Sequence, residues 1–170
     1  IGHEFVVTLY KNKQLLGLIT QNVDGLHELA GLPRNVMIEL HGTDRYVGCL
    51  SCSFKAPASR FFENIQKKLP HCPDCNGLLK SATISFGQSL NQQDLQKAHE
   101  WSSSCDCFIV LGSSLVVHPA ASLPEIAVQN NIPLIIINNT PTPLDPIATL
   151  SINQPIGKVI QKLNKKTDEF

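Results

Sequence analysis

Short apolar runs that stop abruptly at polar residues recur along this chain of 170 residues. One run ends at Ile19, a second covers 36–40 and a third covers 107–111, and each has the length of a buried strand. Strands that alternate with helices predict an α/β fold with a doubly wound parallel sheet. Apolar residues at helical spacing predict helices at 4–11, 24–30, 59–69, 91–103, 122–129 and 156–163.

Several of these elements carry signals for where they begin or end. Asn91 is a good N-cap for the helix that follows it, and Ser122 with Glu125 matches a capping box. Residues 134–137 and 149–152 predict two more strands, the second at a sheet edge. Residues 165–170 predict a frayed tail.

Polar residues follow three of the predicted strands. The segment 20–27 follows the first strand, His41 and Gly42 follow the second, and 112–114 follows the third. Open parallel sheets bind their ligands at the carboxyl ends of the strands. We therefore expect the ligand site of this protein to be built from these segments.

Four cysteines form two Cys-x-x-Cys pairs with nineteen residues between them: Cys49, Cys52, Cys72 and Cys75. This spacing is typical of a structural zinc site, in which tetrahedral zinc accepts four thiolates. A thioredoxin-like redox pair would need only one such motif, so zinc is the favoured interpretation. Zinc would also stabilise a small module that has little core of its own.

Composition excludes some classes of protein. Lysine plus arginine and aspartate plus glutamate both number 14, and no basic stripe is present, so we expect no direct binding of nucleic acid. No run approaches the ~20 apolar residues of a membrane span, and no secretory signal is recognisable. We expect a soluble protein of a reducing compartment, cytoplasmic first and nuclear as the alternative.

These motifs together resemble the sirtuin (Sir2) family of NAD-dependent protein deacylases, over roughly Gly2 to Leu163. The resemblance rests on Thr20 to His27, Ala30-Gly31, His41-Gly42, the two cysteine pairs, Phe86-Gly87-Gln88, Gly112 to Leu115 and Pro119-Ala120. It implies a Rossmann-like NAD-binding domain at 1–42 and 88–170, with a zinc-binding module inserted at 43–87. The family's glycine-rich loop has no match here, so we expect an N-terminally incomplete sheet.

The resemblance also implies a mechanism and its catalytic residues. The carbonyl oxygen of an acyl-lysine attacks the ribose carbon that bears nicotinamide. His41 then takes a proton from a ribose hydroxyl, and an imidazole titrates in the right range for this task. Asn22 is the second catalytic candidate, holding the ribose and a water. The products would be nicotinamide, free lysine and acylated ADP-ribose.

The cofactor and the substrate would be held by side chains at the strand ends. The resemblance assigns substrate binding to Phe86, Gly87, Gln88 and Val117, in a cleft where an extended acyl-lysine peptide adds as a strand. The family usually has threonine at Ser113 and glutamate at Gln88. The NAD-binding residues that it implies are Gln21, Asn22, Val23, Asp24, Gly112, Ser113, Ser114, Asn138, Asn139, Thr140 and Ile156.

Other interpretations stay open at this point. A lone histidine is more often structural, and an Asx-rich turn at 22–24 can satisfy its own backbone. Mono-ADP-ribosyl transfer would use the same cofactor, and an inactive zinc-binding fragment would serve as an interaction module. We expect His3, His27, His99 and His118 to be surface or structural, and Cys105 and Cys107 to be buried structural cysteines.

Overall fold

The structure is a computed structural model that describes residues 1–62 and 69–167. Its helices are α1 (Gly2–Lys11), α2 (Leu26–Leu29), α3 (Ser59–Phe62), α4 (Gln92–Ser104), α5 (Leu123–Gln129) and α6 (Ile156–Thr167). Its strands are β1 (Leu18–Thr20), β2 (Met37–Glu39), β3 (Gly42–Cys49), β4 (Lys55–Pro57), β5 (Leu79–Thr83), β6 (Phe108–Leu111), β7 (Leu134–Asn138) and β8 (Leu150–Asn153). Three single-turn 3-10 helices cover Arg34–Val36, Ala120–Ser122 and Asp145–Ile147.

The parallel strands expected of an α/β fold are present, in two separate ladders. β1 pairs with β2, and β6, β7 and β8 form a three-stranded parallel sheet with β7 in the centre. Within the described residues no ladder joins β1 to β6. The α/β class is therefore confirmed, while the parallel strands do not form one continuous sheet.

The central strand β7 shows why these residues form a parallel sheet. Leu134 and Ile136 are fully buried, and β-branched isoleucine fits a strand that is covered on both faces. They pack with Val110 of β6, with Leu115 and with Leu144. The polar residue Asn138 ends this strand at the same edge as Gly112, whose amide donates to the carbonyl of Ile137.

The second three-stranded sheet is antiparallel and has its own small core. Its strand order is β4-β3-β5, and Val47 of β3 is completely buried in it. The buried residues around Val47 are Ala56, Ala58, Cys72 and Leu79. Helix α3 begins at Ser59 as predicted, but the rest of the predicted helix at 59–69 lies largely outside the described residues.

Helix α4 has the N-cap that its sequence predicts. The Asn91 side chain accepts hydrogen bonds from the amides of Gln93 and Asp94, at 2.9 and 3.2 Å. Ala98 is fully buried, and Leu95 and Trp101 pack against the same cluster, as expected from their spacing.

The predicted capping box at 122–125 is wrong. The 3-10 helix at 120–122 runs directly into α5, so Ser122 already has helical backbone angles and makes no side-chain cap. Its hydroxyl instead lies 2.9 Å from His118 Nδ1. The helix itself ends at Gln129, where the sequence predicts its end.

Helix α6 buries only part of its predicted apolar face. Val159 and Ile160 are buried, whereas Leu163 is 45% exposed. The helix continues to Thr167, so the predicted frayed tail is helical as far as it is described. Among the described residues, no helix has the length and hydropathy needed to cross a bilayer.

Candidate functional site

A cavity of about 480 Å³ separates β1 from β6. It is lined along its length by residues of β1 and β6, whose facing edges have no ladder between them in the described residues. Gln21 Nε2 donates to Ser113 Oγ at 3.2 Å, so the two strand ends are linked by a hydrogen bond. The predicted site residues that line the cavity are Gln21, Asn22, Gly112, Ser113, Ser114 and Ile156.

The turn after β1 is held by local hydrogen bonds. The Asn22 amide donates to Thr20 Oγ1 at 3.1 Å, and the Leu26 amide donates to Asp24 Oδ1 at 3.0 Å. Gly25 has φ +69°, which glycine adopts without strain. One carboxylate oxygen of Asp24 therefore satisfies the backbone of its own turn, as the Asx-turn interpretation predicts. Neither Val23 nor Asp24 is among the residues that line the cavity.

His41 follows β2 and contacts the turn from the neighbouring strand. Its Nδ1 lies 3.3 Å from the backbone oxygen of Gln21. A carbonyl can only accept, so this contact requires the proton on Nδ1 and leaves Nε2 as a proton acceptor. The backbone of His41 is fixed as well, because its carbonyl accepts from Ile84 at 2.8 Å. His41 itself does not line the cavity.

Gly42 makes the backbone path behind His41 possible. It has φ +74°, and a Cβ there would lie 2.2 Å from the carbonyl oxygen of Ala82. Any larger residue would force β3 away from β5. The position of His41 thus depends on a glycine that immediately follows it.

The segment after β6 presents a hydroxyl and a glycine to the cavity. Ser113 Oγ accepts from the Leu115 amide at 3.3 Å. Gly112 has φ +65°, and a Cβ there would lie 2.7 Å from Ile156 Cδ1. The close approach of Ile156 brings the start of α6 to the same edge of the sheet.

The polar residues after β7 lie at this edge but outside the cavity lining. Asn138 is buried, and its side-chain nitrogen donates to the Thr140 carbonyl at 2.8 Å and to Thr140 Oγ1 at 3.3 Å. Asn139 and Thr140 are exposed.

Asp145 fixes the following loop, with Thr142 Oγ1 donating to its Oδ1 at 2.6 Å. That hydrogen bond is the main cause that lowers the pKa of Asp145 below its usual range.

The residues predicted to bind the peptide form an exposed turn after β5. Phe86 is 96% exposed, and Gly87 has φ +84°. The Gln88 side chain accepts from the Ser85 amide at 2.8 Å, which closes the turn. Val117 is half-buried on a different segment. None of these four residues lines the cavity.

The four cysteines predicted as zinc ligands converge. Cys49 and Cys75 have their sulfurs 3.5 Å apart, and Cys52 and Cys72 have theirs 3.6 Å apart. Four sulfurs about 2.3 Å from one tetrahedral zinc would be separated by about 3.8 Å, so the cluster fits the ion. The Ser51 amide donates to Cys49 Sγ at 3.3 Å and is the main cause that lowers the pKa of Cys49 to about 7. A thiol that ionises readily suits a metal ligand.

Two histidines belong to the cavity although the sequence predicted them as surface or structural. His3 and His27 line it, and their rings meet edge to face with centroids 4.5 Å apart. His27 Nδ1 is buried without a hydrogen-bond partner in the described structure. Burial is the largest cause that lowers the pKa of His27, and the charge of His3 lowers it further. The charge of Asp24 raises it. Their positions, one at the start of α1 and one at the end of the polar segment 20–27, were the available sequence signal.

The remaining cysteines differ from their prediction. Cys105 is half-buried, and Cys107 is exposed at the start of β6 rather than buried. Cys107 precedes the first paired residue of the strand, where the chain is still at the protein surface. Neither belongs to the four-sulfur cluster.

Comparison with known sequences gives consistent matches. The sequence model of the Sir2 family matches residues 1–119. The chain is 39% identical over 161 residues to an NAD-dependent protein deacetylase of Rhodopseudomonas palustris, covering 94% of this chain and 64% of that protein. It is 38% identical over 164 residues to an NAD-dependent protein deacetylase of Thermotoga maritima, covering 96% and 66%. The chain thus spans slightly less than two thirds of the length of these curated relatives.

Solved structures match nearly the whole chain. A Sir2 protein with a p53 peptide and NAD+ superposes with a TM-score of 0.94 at 35% identity, covering 99% of this chain and 70% of that one. Sir2Tm bound to a propionylated peptide gives a TM-score of 0.93 at 36% identity, covering 98% and 70%.

Proposed function

Because this chain belongs to the Sir2 family, we propose that it is the catalytic part of an NAD-dependent protein deacylase. The reaction transfers an acyl group from lysine to ADP-ribose and releases nicotinamide. One observation carries the proposal: the ends of β1, β2 and β6 bring Gln21, His41 and Ser113 into one hydrogen-bonded set. Because its relatives are named NAD-dependent protein deacetylases, we propose acetylated lysine as the first substrate to test.

His41 is the proposed general base. Its Nδ1–H is directed to the Gln21 carbonyl, so Nε2 is the atom that would take a proton from a ribose hydroxyl. NAD, when bound, supplies a ribose carbon from which nicotinamide departs. Asn22 is proposed to hold the ribose and a water, and Gln21 a ribose hydroxyl, because amide side chains both donate and accept. Val23 and Asp24 are proposed to bind the carboxamide.

The adenosine half of the cofactor is proposed to lie across the end of the three-stranded parallel sheet. Gly112, Ser113 and Ser114 follow β6. Asn138 is the last residue of β7, and Asn139 and Thr140 follow it. Ligands of parallel sheets bind at such strand ends. Ile156, whose Cδ1 lies close to Gly112, is proposed to contact the adenine.

The substrate peptide is proposed to bind at Phe86, Gly87, Gln88 and Val117. The Phe86 side chain is almost fully exposed, and an extended peptide can add as a strand beside the segment after β5. A p53 peptide and a propionylated peptide are bound by the similar Sir2 structures, and we extend that class of ligand to this chain.

Zinc is proposed to have a structural role in the module at 43–87. All four protein ligands are thiolates, which leaves no open position for a substrate. The NAD-binding domain would then consist of 1–42 and 88–170. Free thiolates that hold a metal also favour a reducing compartment, so we propose a cytoplasmic location, with the nucleus as the alternative.

The first test is titration of NAD into the zinc-loaded chain, followed by nicotinamide release with an acetyl-lysine peptide. We expect peptide-dependent release that His41→Ala abolishes. His99→Ala is the matched control, since His99 is exposed on α4. Zinc-loaded protein that binds no NAD would contradict the proposal. Transfer of ADP-ribose to the peptide without loss of its acyl group would favour the transferase alternative.

A further inference from the structure

Two arginines and two glutamates form a continuous ion-pair cluster beside the turn after β1. Arg45 Nη2 lies 2.7 Å from Glu28 Oε2 and 3.8 Å from Glu39 Oε1. Arg34 contacts the same two carboxylates, at 3.3 and 3.4 Å. Glu28 is on α2, Arg34 on a 3-10 helix, Glu39 on β2 and Arg45 on β3. The cluster therefore joins four successive segments of the chain.

The two arginines of this cluster are not equivalent. Arg45 is 23% exposed and Glu39 only 11%, whereas Arg34 is 51% exposed. Charges that are partly removed from water interact more strongly and are screened less by salt. Arg45 is thus the less exposed cation of the cluster, and it donates to Glu28. Arg34, on the solvent side, donates to Glu39 at 3.4 Å.

Arg45 also lies directly over the turn. A Cβ at Gly25 would be 2.3 Å from Arg45 Cδ and 2.4 Å from its Nε, so the arginine side chain fills the space that the glycine leaves. The residues just before Arg45 hold the other side of the turn. The amide of Asp44 donates to the Val23 carbonyl at 2.9 Å.

Glu39 connects the cluster to the proposed base. It is the last residue of β2, pairs with Thr20 of β1, and stands two residues before His41. Arg45 therefore contacts both the turn that carries Val23 and Asp24 and the strand that leads to His41. Arg34 contacts the same acids without touching Gly25.

We propose that Arg45 is a positioning residue that holds the 22–25 turn against the strand bearing His41, and so sets the affinity for the nicotinamide half of NAD. The effect of Arg45 on NAD affinity rests on the proposed function. The fixing of the turn by Arg45 is testable without NAD.

The experiment compares Arg45→Met, Arg45→Lys and Arg34→Met by hydrogen exchange of 21–30 and by NAD titration. Arg45→Met should speed exchange in this segment and weaken NAD binding on the order of tenfold, since small misplacements of binding groups are costly. Arg45→Lys should be intermediate, because an ammonium keeps the charge but lacks the Nε–H that donates to Thr43 Oγ1 at 3.5 Å. Arg34→Met should change affinity by less than about twofold.

Readouts beyond stability separate positioning from a general loss of structure. For Arg45→Met, the KM for NAD should rise while the KM for the acyl peptide stays constant. Equal effects of Arg45→Met and Arg34→Met, or unchanged exchange of 21–30 in Arg45→Met, would overturn the proposal. If the unaltered chain binds no NAD, the proposed function fails. The exchange data alone then decide whether Arg45 holds the turn.

Discussion

The parallel sheet β6–β8 and the antiparallel sheet β3–β5 each have three strands, but different residues fill their cores. The buried residues of the parallel sheet are large aliphatics such as Leu134 and Ile136. Those of the antiparallel sheet are mostly small, including Ala56, Ala58 and Cys72. Burial stabilises in proportion to the apolar area removed from water, at about 25 cal/mol per Å². The antiparallel sheet therefore gains less stability from burial of apolar area. One of its core residues, Cys72, is also a member of the four-cysteine cluster.

This contrast indicates that the two regions depend on different sources of stability. A small module with a limited core usually needs a metal or disulfides to fold. The parallel sheet needs neither, because its central strand is covered on both faces. Removing the metal and removing core volume should therefore affect different regions.

Loss of the metal should have the largest effect. We expect Cys72→Ser to lose zinc and unfold the module at 43–87, because structural zinc contributes on the order of 10 kcal/mol in small zinc-dependent folds. Zinc content and hydrogen exchange of this module are the measurements. Cys107→Ser, outside the cluster, should keep one zinc per chain. Loss of zinc with unchanged exchange in Cys72→Ser would show that the module does not depend on metal, and full zinc content would show that Cys72 is not a ligand.

A core cavity in the parallel sheet should come second. Ile136 is fully buried, so Ile136→Ala should cost about 2–5 kcal/mol of unfolding free energy, measured by urea denaturation. Ile147, which is 47% exposed, provides the control, and Ile147→Ala should cost less than about 1 kcal/mol. The cost of Ile136→Ala should be the same with and without zinc. A cost that depends on zinc would mean that the two cores are energetically coupled.

The helix that follows the module offers a smaller test of the parallel-sheet region. Asn91→Ala removes the acceptor for the amides of Gln93 and Asp94, and should cost about 1 kcal/mol. Ser122→Ala is the control, because Ser122 makes no cap in the structure and should cost at most about 0.5 kcal/mol. Thermal unfolding at constant zinc measures both. A larger loss for Ser122→Ala would restore the capping box that the sequence suggested.

These two caps show how far local sequence determines this fold. The Asn91 cap acts through near neighbours and is confirmed. The four cysteines share a strict chemical requirement, and their sulfurs converge as a zinc site would need. Ser122 matches a capping pattern, yet the preceding 3-10 helix places it inside the helical path. Leu163 has helical spacing, but its partner surface is a tertiary property, and it is half exposed.

The candidate site was likewise predicted only in part from the sequence. Strand ends predicted from apolar runs brought Gln21, Asn22 and Gly112–Ser114 to one cavity, because parallel strands end at a common edge. His3 and His27 were missed as cavity residues, since their ring contact joins α1 to α2 across 24 positions of sequence.

Acid should separate the two regions by the order of their transitions, and the Asp145 step should be the smallest of these changes in stability. Protonation of cysteines competes with zinc, so the module should lose structure first as the pH falls. Asp145 has a pKa lowered from 3.8, chiefly by the Thr142 hydroxyl, so its stabilising contribution is present above that value. The contribution is lost only as the pH falls further, through the lowered pKa. Amide signals followed by NMR should therefore change for the module before they change for Thr142, whose amide donates to Asp145. Asp145→Asn should remove only the later change. If the signals of the module and of Thr142 change at the same pH in the unaltered chain, one event controls both regions.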